Sequence, residues 1–131
     1  MAVVGAIFRN IHCPHIRNVK DGGLIMKLWI DDVRPAPEGY VWVRSVGQAK
    51  DAIRAEEKHK ISFPDSNYSV ELIDIDHDAG DYAWQGGDYI KLLDWLEETG
   101  RNYPIRIHSM NPVGVANMRA IIEKNGWKEI K

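Results

Sequence analysis

At 131 residues and a formal net charge of −2, the chain suits one domain that can bury a core unaided, and its overall charge excludes neither sign of partner but favours none, nucleic acid included. Its single cysteine, Cys13, rules out an internal disulfide framework and points to the cytosol. The longest apolar stretches fall well short of the roughly 20 residues a membrane-spanning helix needs, and Arg9, Asn10, His12 and His15 break any signal-peptide core, so a cytoplasmic protein without a membrane partner is expected.

Residues 1–25 hold no sustained helix or strand period and carry Gly5, Pro14, Gly22 and Gly23, so they are expected to be a flexible extension outside the core. Gly22-Gly23-Leu24-Ile25-Met26 can be encoded by a purine-rich ribosome-binding sequence followed by a start codon, which makes Met26 the expected natural start in a bacterial or phage gene. An authentic arm, or a strand added to a sheet edge, is the competing reading. The domain proper is expected over residues 26–131.

Lys27-Leu28-Trp29-Ile30 reads as a first strand ending in Asp31-Asp32, and Val33-Arg34-Pro35-Ala36-Pro37-Glu38-Gly39 as an extended loop that its prolines keep from being helical. Tyr40 to Arg44 is the second strand. Ser45 then caps a helix whose Val46, Ala49, Ala52, Ile53 and Ala55 form one apolar stripe, running to about Lys60. A loop over residues 62–67 leads to Val70-Glu71-Leu72-Ile73-Asp74-Ile75, a β-branched run that ends in Asp76-His77-Asp78. Asp81 to Gly87 reads as a loop, Asp88 as the cap of a helix ended by Gly100, and Tyr103-Pro104 as the lead into a fourth strand, Ile105 to Ile107. Asn111-Pro112 opens a last helix, Gly126 closes it, and Trp127 to Ile130 is a fifth strand. The order predicts a parallel α/β sheet, with no helix between its first two strands.

In such a sheet the strand ends collect Asp31, Asp32, Asp74, Asp76, His77, Asp78, His108, Ser109 and Asn111 at one edge, where open α/β sheets bind ligands. Asp31 and Asp32, with Asp76 and Asp74 from the neighbouring strand, suit an oxygen cage for a hard divalent ion such as magnesium; without a cation, their repulsion raises at least one pKa. Helix capping or exposure to solvent is the plain alternative for any of these acids. His77 and His108 are each a candidate general acid, general base or transition-metal ligand. Ser109 and Asn111 suit a phosphate at a helix start, although simple caps look identical in sequence. Arg34 either binds phosphate or pairs with Asp31 or Asp32, and Asp78 is a candidate for contacting substrate. His12, His15 and His59 are assigned to the surface, Trp29, Trp42, Trp95 and Trp127 to packing. Trp84, between Gly80 and Gly86, is open to either packing or flanking a base or sugar.

The acidic pair, the aspartate after the central strand and the serine after the fourth resemble the receiver domain of bacterial response regulators. The lysine that standard receivers carry after the fifth strand is not matched by Lys128 or Lys131. A closer resemblance, over residues 26–131, is to the cyclic-phosphate processing receiver domain, carried by Asp31-Asp32-Val33-Arg34-Pro35, by Asp76-His77-Asp78 with Gly80, and by His108-Ser109-Met110-Asn111 with Gly114 and Met118. Asp74, Ile75 and Ala79 depart from that pattern. The resemblance implies a flavodoxin-like three-layer sandwich with a five-stranded, mainly parallel sheet, lacking the helix between its first two strands and the last helix. It also implies a metal-dependent phosphoesterase acting on a cyclic nucleotide or a 2′,3′-cyclic end, with a magnesium or similar ion on Asp31, Asp32 and Asp76, and His108 or His77 moving the proton. The rival expectations are a regulatory receiver-like module phosphorylated on Asp74 or Asp76 that signals through a partner protein, and a non-catalytic nucleotide-binding or phage–host interaction protein. Monomer and homodimer are both open.

Overall fold

The computed structural model describes residues 16–18, 24–62 and 69–131. The parallel strands are β2 (Leu24–Ile30), β3 (Val41–Val43), β4 (Ser69–Ile75) and β5 (Ile105–Ile107), hydrogen-bonded in the order β3-β2-β4-β5. A further strand, β1 (Ile16–Asn18), pairs antiparallel with the first part of β2, on the same edge that β3 occupies further along. Part of the segment assigned by sequence to a flexible extension is thus an edge strand, and β2 starts two residues before Met26; the remainder of residues 1–25 lies outside the described residues. So does most of the loop expected over residues 62–67.

Three helices follow the strands: α1 (Val46–Ser62), α2 (Ile90–Glu98) and α3 (Pro112–Asn125). Each start and stop has a local cause. Ser45 Oγ accepts the Gln48 N–H at 3.0 Å while Gln48 Oε1 accepts the Arg44 N–H at 2.8 Å, a reciprocal arrangement close to a capping box. Asn111 caps α3 through the Gly114 N–H at 3.1 Å, with Pro112 in the first turn, and Gly126 ends it with a left-handed φ of 66°. Asp88 does not cap α2. Its Oδ1 accepts the Ala79 N–H at 3.0 Å instead, tying the loop after β4 to the helix entrance.

Alternation along the strands sorts their side chains onto two different faces. Met26, Leu28, Ile30, Val41, Val43, Ile73, Ile75 and Ile105 are buried in one core with Ala49 and Ile53 of α1, Leu92, Leu93 and Leu96 of α2, and Met118 and Ile122 of α3. Full burial of each of the larger side chains is worth about 1.5–3 kcal/mol. The other face carries the cross-strand row Trp42, Trp29, Asp74 and Arg106. The expected three-layer sandwich is therefore two layers among the described residues. The β2–β3 connection, residues 31–40, is a loop that folds onto the second face through a Trp29 Nε1–H to Arg34 O bond of 2.9 Å and an edge-on Tyr40 ring 5.8 Å from Trp29. The expected fifth parallel strand is a correction too, since its pairing is one isolated bridge, Ile105 to Glu129.

A register shift between Met26 and Lys27 leaves Glu71 as a bulge on β4 and sets Asp74 opposite Trp29. Near the bulge, Glu56 of α1 is buried, yet its carboxylate accepts the Val70 N–H and, at 3.0 Å, the Tyr103 hydroxyl, with Lys60 at 3.5 Å. Replacing Glu56→Ala leaves the buried Val70 N–H and the half-buried Tyr103 hydroxyl without their acceptor. A loss of about 2 kcal/mol in urea-denaturation stability is expected, with the cleft at the strand ends unaltered.

Candidate functional site

The last paired residues of the four parallel strands, Val43, Ile30, Ile75 and Ile107, lie in one register, so the next residues, Arg44, Asp31, Asp76 and His108, share one level at the carboxyl edge. Backbone bonds carry the ladder across this row, from Asp31 N–H to Val43 O at 3.3 Å, from Asp76 N–H to Ile30 O at 2.9 Å and from His108 N–H to Ile75 O at 3.0 Å.

His108 is the centre of the arrangement. Its Nδ1 lies 2.7 Å from Asp74 Oδ1 and its Nε2 3.0 Å from Asp31 Oδ2, while its ring stacks on Trp29 at 3.8 Å between centroids and 3° between planes. Both carboxylates are buried, Asp31 to 1 % and Asp74 to 0 % exposure, so the imidazole is what lets two acids sit beneath the surface. A doubly protonated ring donates to both at once. Arg106 Nη1 adds a contact of 3.5 Å to Asp74 Oδ2.

Asp31 is further held by the N–H groups of Val33 at 2.9 Å and Arg34 at 2.8 Å, both on Oδ1. Burial pushes its carboxyl up, but these two bonds and the His108 contact outweigh it and leave the group below its ordinary value. The two indoles brace the same loop, Trp42 Nε1–H donating to Asp31 O at 2.8 Å as Trp29 does to Arg34 O. Asp32 behaves in the opposite way. Burial, and then the charges of Asp31, Asp76 and Asp81, raise its carboxyl above the ordinary value against the pull of its own backbone N–H. Its carboxylate lies against Gly80, where a φ of 53° favours glycine and any Cβ would push the Asp32 carboxylate aside.

One ligand atom each from Asp31, Asp76 and His108 lies within 4.8 Å of the others, the one such group among the described residues. Two carboxylates and an imidazole backed by a buried carboxylate on its far nitrogen make a chemically coherent donor set for a divalent cation: oxygens suit magnesium or manganese, and the nitrogen admits manganese, iron or zinc. Asp32 and Asp74 lie outside this group. Asp74, a candidate metal ligand in the sequence, has its oxygens on His108 and Arg106.

His77 sits beside the edge with Nδ1 2.8 Å from Asp78 Oδ1, its ring filling the space left by the missing side chain of Gly114. Nε2 has no partner among the described residues. Asp78 is mostly exposed. Arg34, half exposed, reaches His108 O at 3.4 Å and is 3.9 Å from Asp31, so the pairing alternative exists at its loosest, and its other guanidinium donors have no partner among the described residues. Ser109 Oγ accepts the Asn111 N–H at 3.1 Å, and Asn111 Oδ1 caps α3; the acceptor capacity of both is used locally, while the hydroxyl and amide hydrogens remain.

Trp29, Arg44, Tyr89 and Arg106 also serve this edge, and sequence reading passed them over or assigned them to packing. Register finds three of them: Trp29 lies two residues before Asp31 on the same face, Arg106 two before His108, and Arg44 follows Val43 as Asp31 follows Ile30. Tyr89, fully buried, donates its hydroxyl to Arg44 O at 2.8 Å; burial and then the charges of Asp32, Asp31 and Asp76 push its pKa far up, so it remains a neutral donor.

A parallel α/β sheet with an acid pair, a central-strand aspartate and a serine at its carboxyl edge defines a receiver-like domain. The family model for the cyclic-phosphate processing receiver domain matches residues 26–124, and the chain belongs to that family. Comparisons with curated proteins and with solved structures gave no significant match. No helix among the described residues is long and apolar enough to cross a membrane.

The two acids predict opposite responses in metal-free protein. Asp31, with a lowered folded pKa, adds stability above the ordinary aspartate value of about 4 that is lost as pH falls through the lowered one; Asp32, with a raised folded pKa, withholds stability at neutral pH that returns as it protonates. In thermal melts with EDTA at neutral pH, Asp32→Asn is expected to raise Tm by a few degrees and Asp31→Asn to lower it.

Proposed function

We propose that the domain is a divalent-cation-dependent phosphoesterase that opens a cyclic phosphate, in a cyclic nucleotide or at a 2′,3′-cyclic end. The observation that carries this reading is the convergence of Asp31, Asp76 and His108 within 4.8 Å at the carboxyl edge, in a chain of the cyclic-phosphate processing family.

Asp31 and Asp76 would hold the ion, His108 would add nitrogen or fix Asp31, and Asp32 would supply charge at the rim. When bound, a divalent ion such as magnesium withdraws charge from phosphoryl oxygens. Arg34, with donors free beside the acids, binds the phosphate, and the Ser109 hydroxyl and Asn111 amide hydrogens add donors at the start of α3. Asp78 orients His77 through Nδ1, leaving Nε2 to take a proton from the attacking water and return one to the departing ring oxygen. The water oxygen bonds to phosphorus, one ring P–O bond breaks, and the product is an acyclic phosphomonoester.

A second reading, a regulatory module phosphorylated on an aspartate, has one observation in its favour: Asp76 is partly open at the end of the central strand, whereas Asp74 is fully buried beneath His108. Against it, Lys128 lines a separate cleft with Lys27, Glu71 and Pro104, several residues short of the strand ends that carry Asp31 and Asp76.

Calorimetry with Mn²⁺ and Mg²⁺ and ³¹P NMR of a cyclic-phosphate panel test the proposal. Asp76→Asn is expected to weaken metal affinity ~10-fold or more, as loss of one charged ligand does. His77→Ala is expected to keep metal affinity and lower kcat by about 10²–10⁴-fold. A stable phosphoaspartate from a small phosphodonor, with every cyclic phosphate left intact, would establish the regulatory reading instead.

A further inference from the structure

Next to the acidic edge lies a cleft of about 500 Å³ lined by Asp32, Val33, Arg44, Asp81, Tyr82 and Trp84. Asp32 belongs to both, since it lines the cleft with Asp81 and directly follows Asp31 in the chain. A group in the cleft therefore meets the strand-end acids at Asp32.

Two features give the cleft a flat, aromatic character. Trp84 is 79 % exposed and makes no hydrogen bond or ring contact among the described residues. Arg44 is its counterpart in fixity: two of its N–H groups donate to Asp32 O, at 3.2 and 2.7 Å, and its guanidinium lies 4.6 Å from the Trp42 ring and 4.7 Å from the Tyr82 ring. The exposure of Trp84 does not come from a loose loop. It rides on a 3₁₀ helix (Gly80–Gln85) pinned to the start of α1, where Gly86 leaves room for Val46 and Gly47 for Gln85 O, and closed by bonds from Tyr82 N–H to Ala79 O and Gly87 N–H to Ala83 O of 2.9 and 2.6 Å. An exposed indole on an anchored backbone segment offers its whole face as a stacking surface.

The polar lining narrows the occupant. The carboxylates of Asp32 and Asp81 accept hydrogen bonds, the Arg44 guanidinium already donates to Asp32 O and lies on the Trp42 and Tyr82 rings, and Trp84 offers a flat exposed face, so the cleft suits a neutral planar group with N–H donors. We infer that this cleft is the nucleobase subsite of the domain, with the base stacked on Trp84 and its donor edge on Asp32 or Asp81. A purine covers the indole better than a pyrimidine, and guanine, with adjacent N1–H and N2–H donors, matches a carboxylate with two bonds. The inference rests on the proposed cyclic-phosphate activity and narrows its substrate to a nucleoside cyclic phosphate, guanosine preferred.

Binding of guanosine 2′,3′-cyclic phosphate, uridine 2′,3′-cyclic phosphate and base-free glycerol cyclic phosphate is measured by calorimetry in Mn²⁺, for wild type, Trp84→Ala and Trp84→Phe in a His77→Ala background that slows turnover. Wild-type contacts in that background are expected to rank guanosine above uridine above glycerol. Trp84→Ala is expected to lose ~10-fold or more for the guanosine ligand, and nothing for the glycerol one, with Trp84→Phe recovering most of the loss. If both ligands bind and Trp84→Ala changes neither, the subsite is overturned and the cyclic-phosphate reading stands. If no cyclic phosphate binds at all, both fall.

Discussion

Everything at the carboxyl edge depends on one imidazole between two buried carboxylates. Asp31 and Asp74 are each almost wholly removed from water, a placement that is costly for an unpaired charge, and His108 satisfies one with each ring nitrogen. Trp29 fixes the plane of that ring by stacking, which keeps Nδ1 on Asp74 and Nε2 toward Asp31. The consequence is an ordered division of labour: Asp74 positions, His108 bridges, Asp31 lies buried beside it, and Asp76 is the partly open acid of the edge.

The same arrangement explains why the fold does without a helix after β2. In a three-layer sheet a helix would cover the face that here bears Trp42, Trp29, Asp74 and Arg106. The loop of residues 31–40 lies there instead, anchored by two indole N–H groups and by the turn that Asp31 Oδ1 makes with Val33 and Arg34. A helix begins with its own backbone donors to satisfy; this loop spends its donors on the Asp31 carboxylate. The acid that anchors the loop is thereby also the acid the site needs.

The strands and their acidic ends were legible in the sequence because β-branched runs ending in aspartate have few other meanings, and the helix boundaries at Ser45, Asn111 and Gly126 because capping chemistry is local. What was hidden is what depends on partners distant in the chain. Asp74 and Asp76 share a strand face by alternation, yet one is buried under His108 and the other is open, a distinction set by β5 and by the bulge at Glu71. The sequence offered an edge strand within residues 1–25 only as the competing reading, and neither the register of Ile16–Asn18 on β2 nor the single bridge at Glu129 could be read, since both depend on edge pairing that no periodicity in three or four residues announces. Arg44 and Tyr89 carry no motif at all; only the shared register of four strand ends and one buried hydroxyl bond bring them to the site.

The most direct test of the central claim is anomalous scattering from crystals of the protein grown or soaked with Mn²⁺. The account predicts one strong manganese peak bounded by Asp31 and Asp76, with His108 still bonded to Asp74 through Nδ1. Crystals saturated with Mn²⁺ that show no peak at this edge, with His108 in place between the two acids, would contradict it and leave the cluster a structural ion pair.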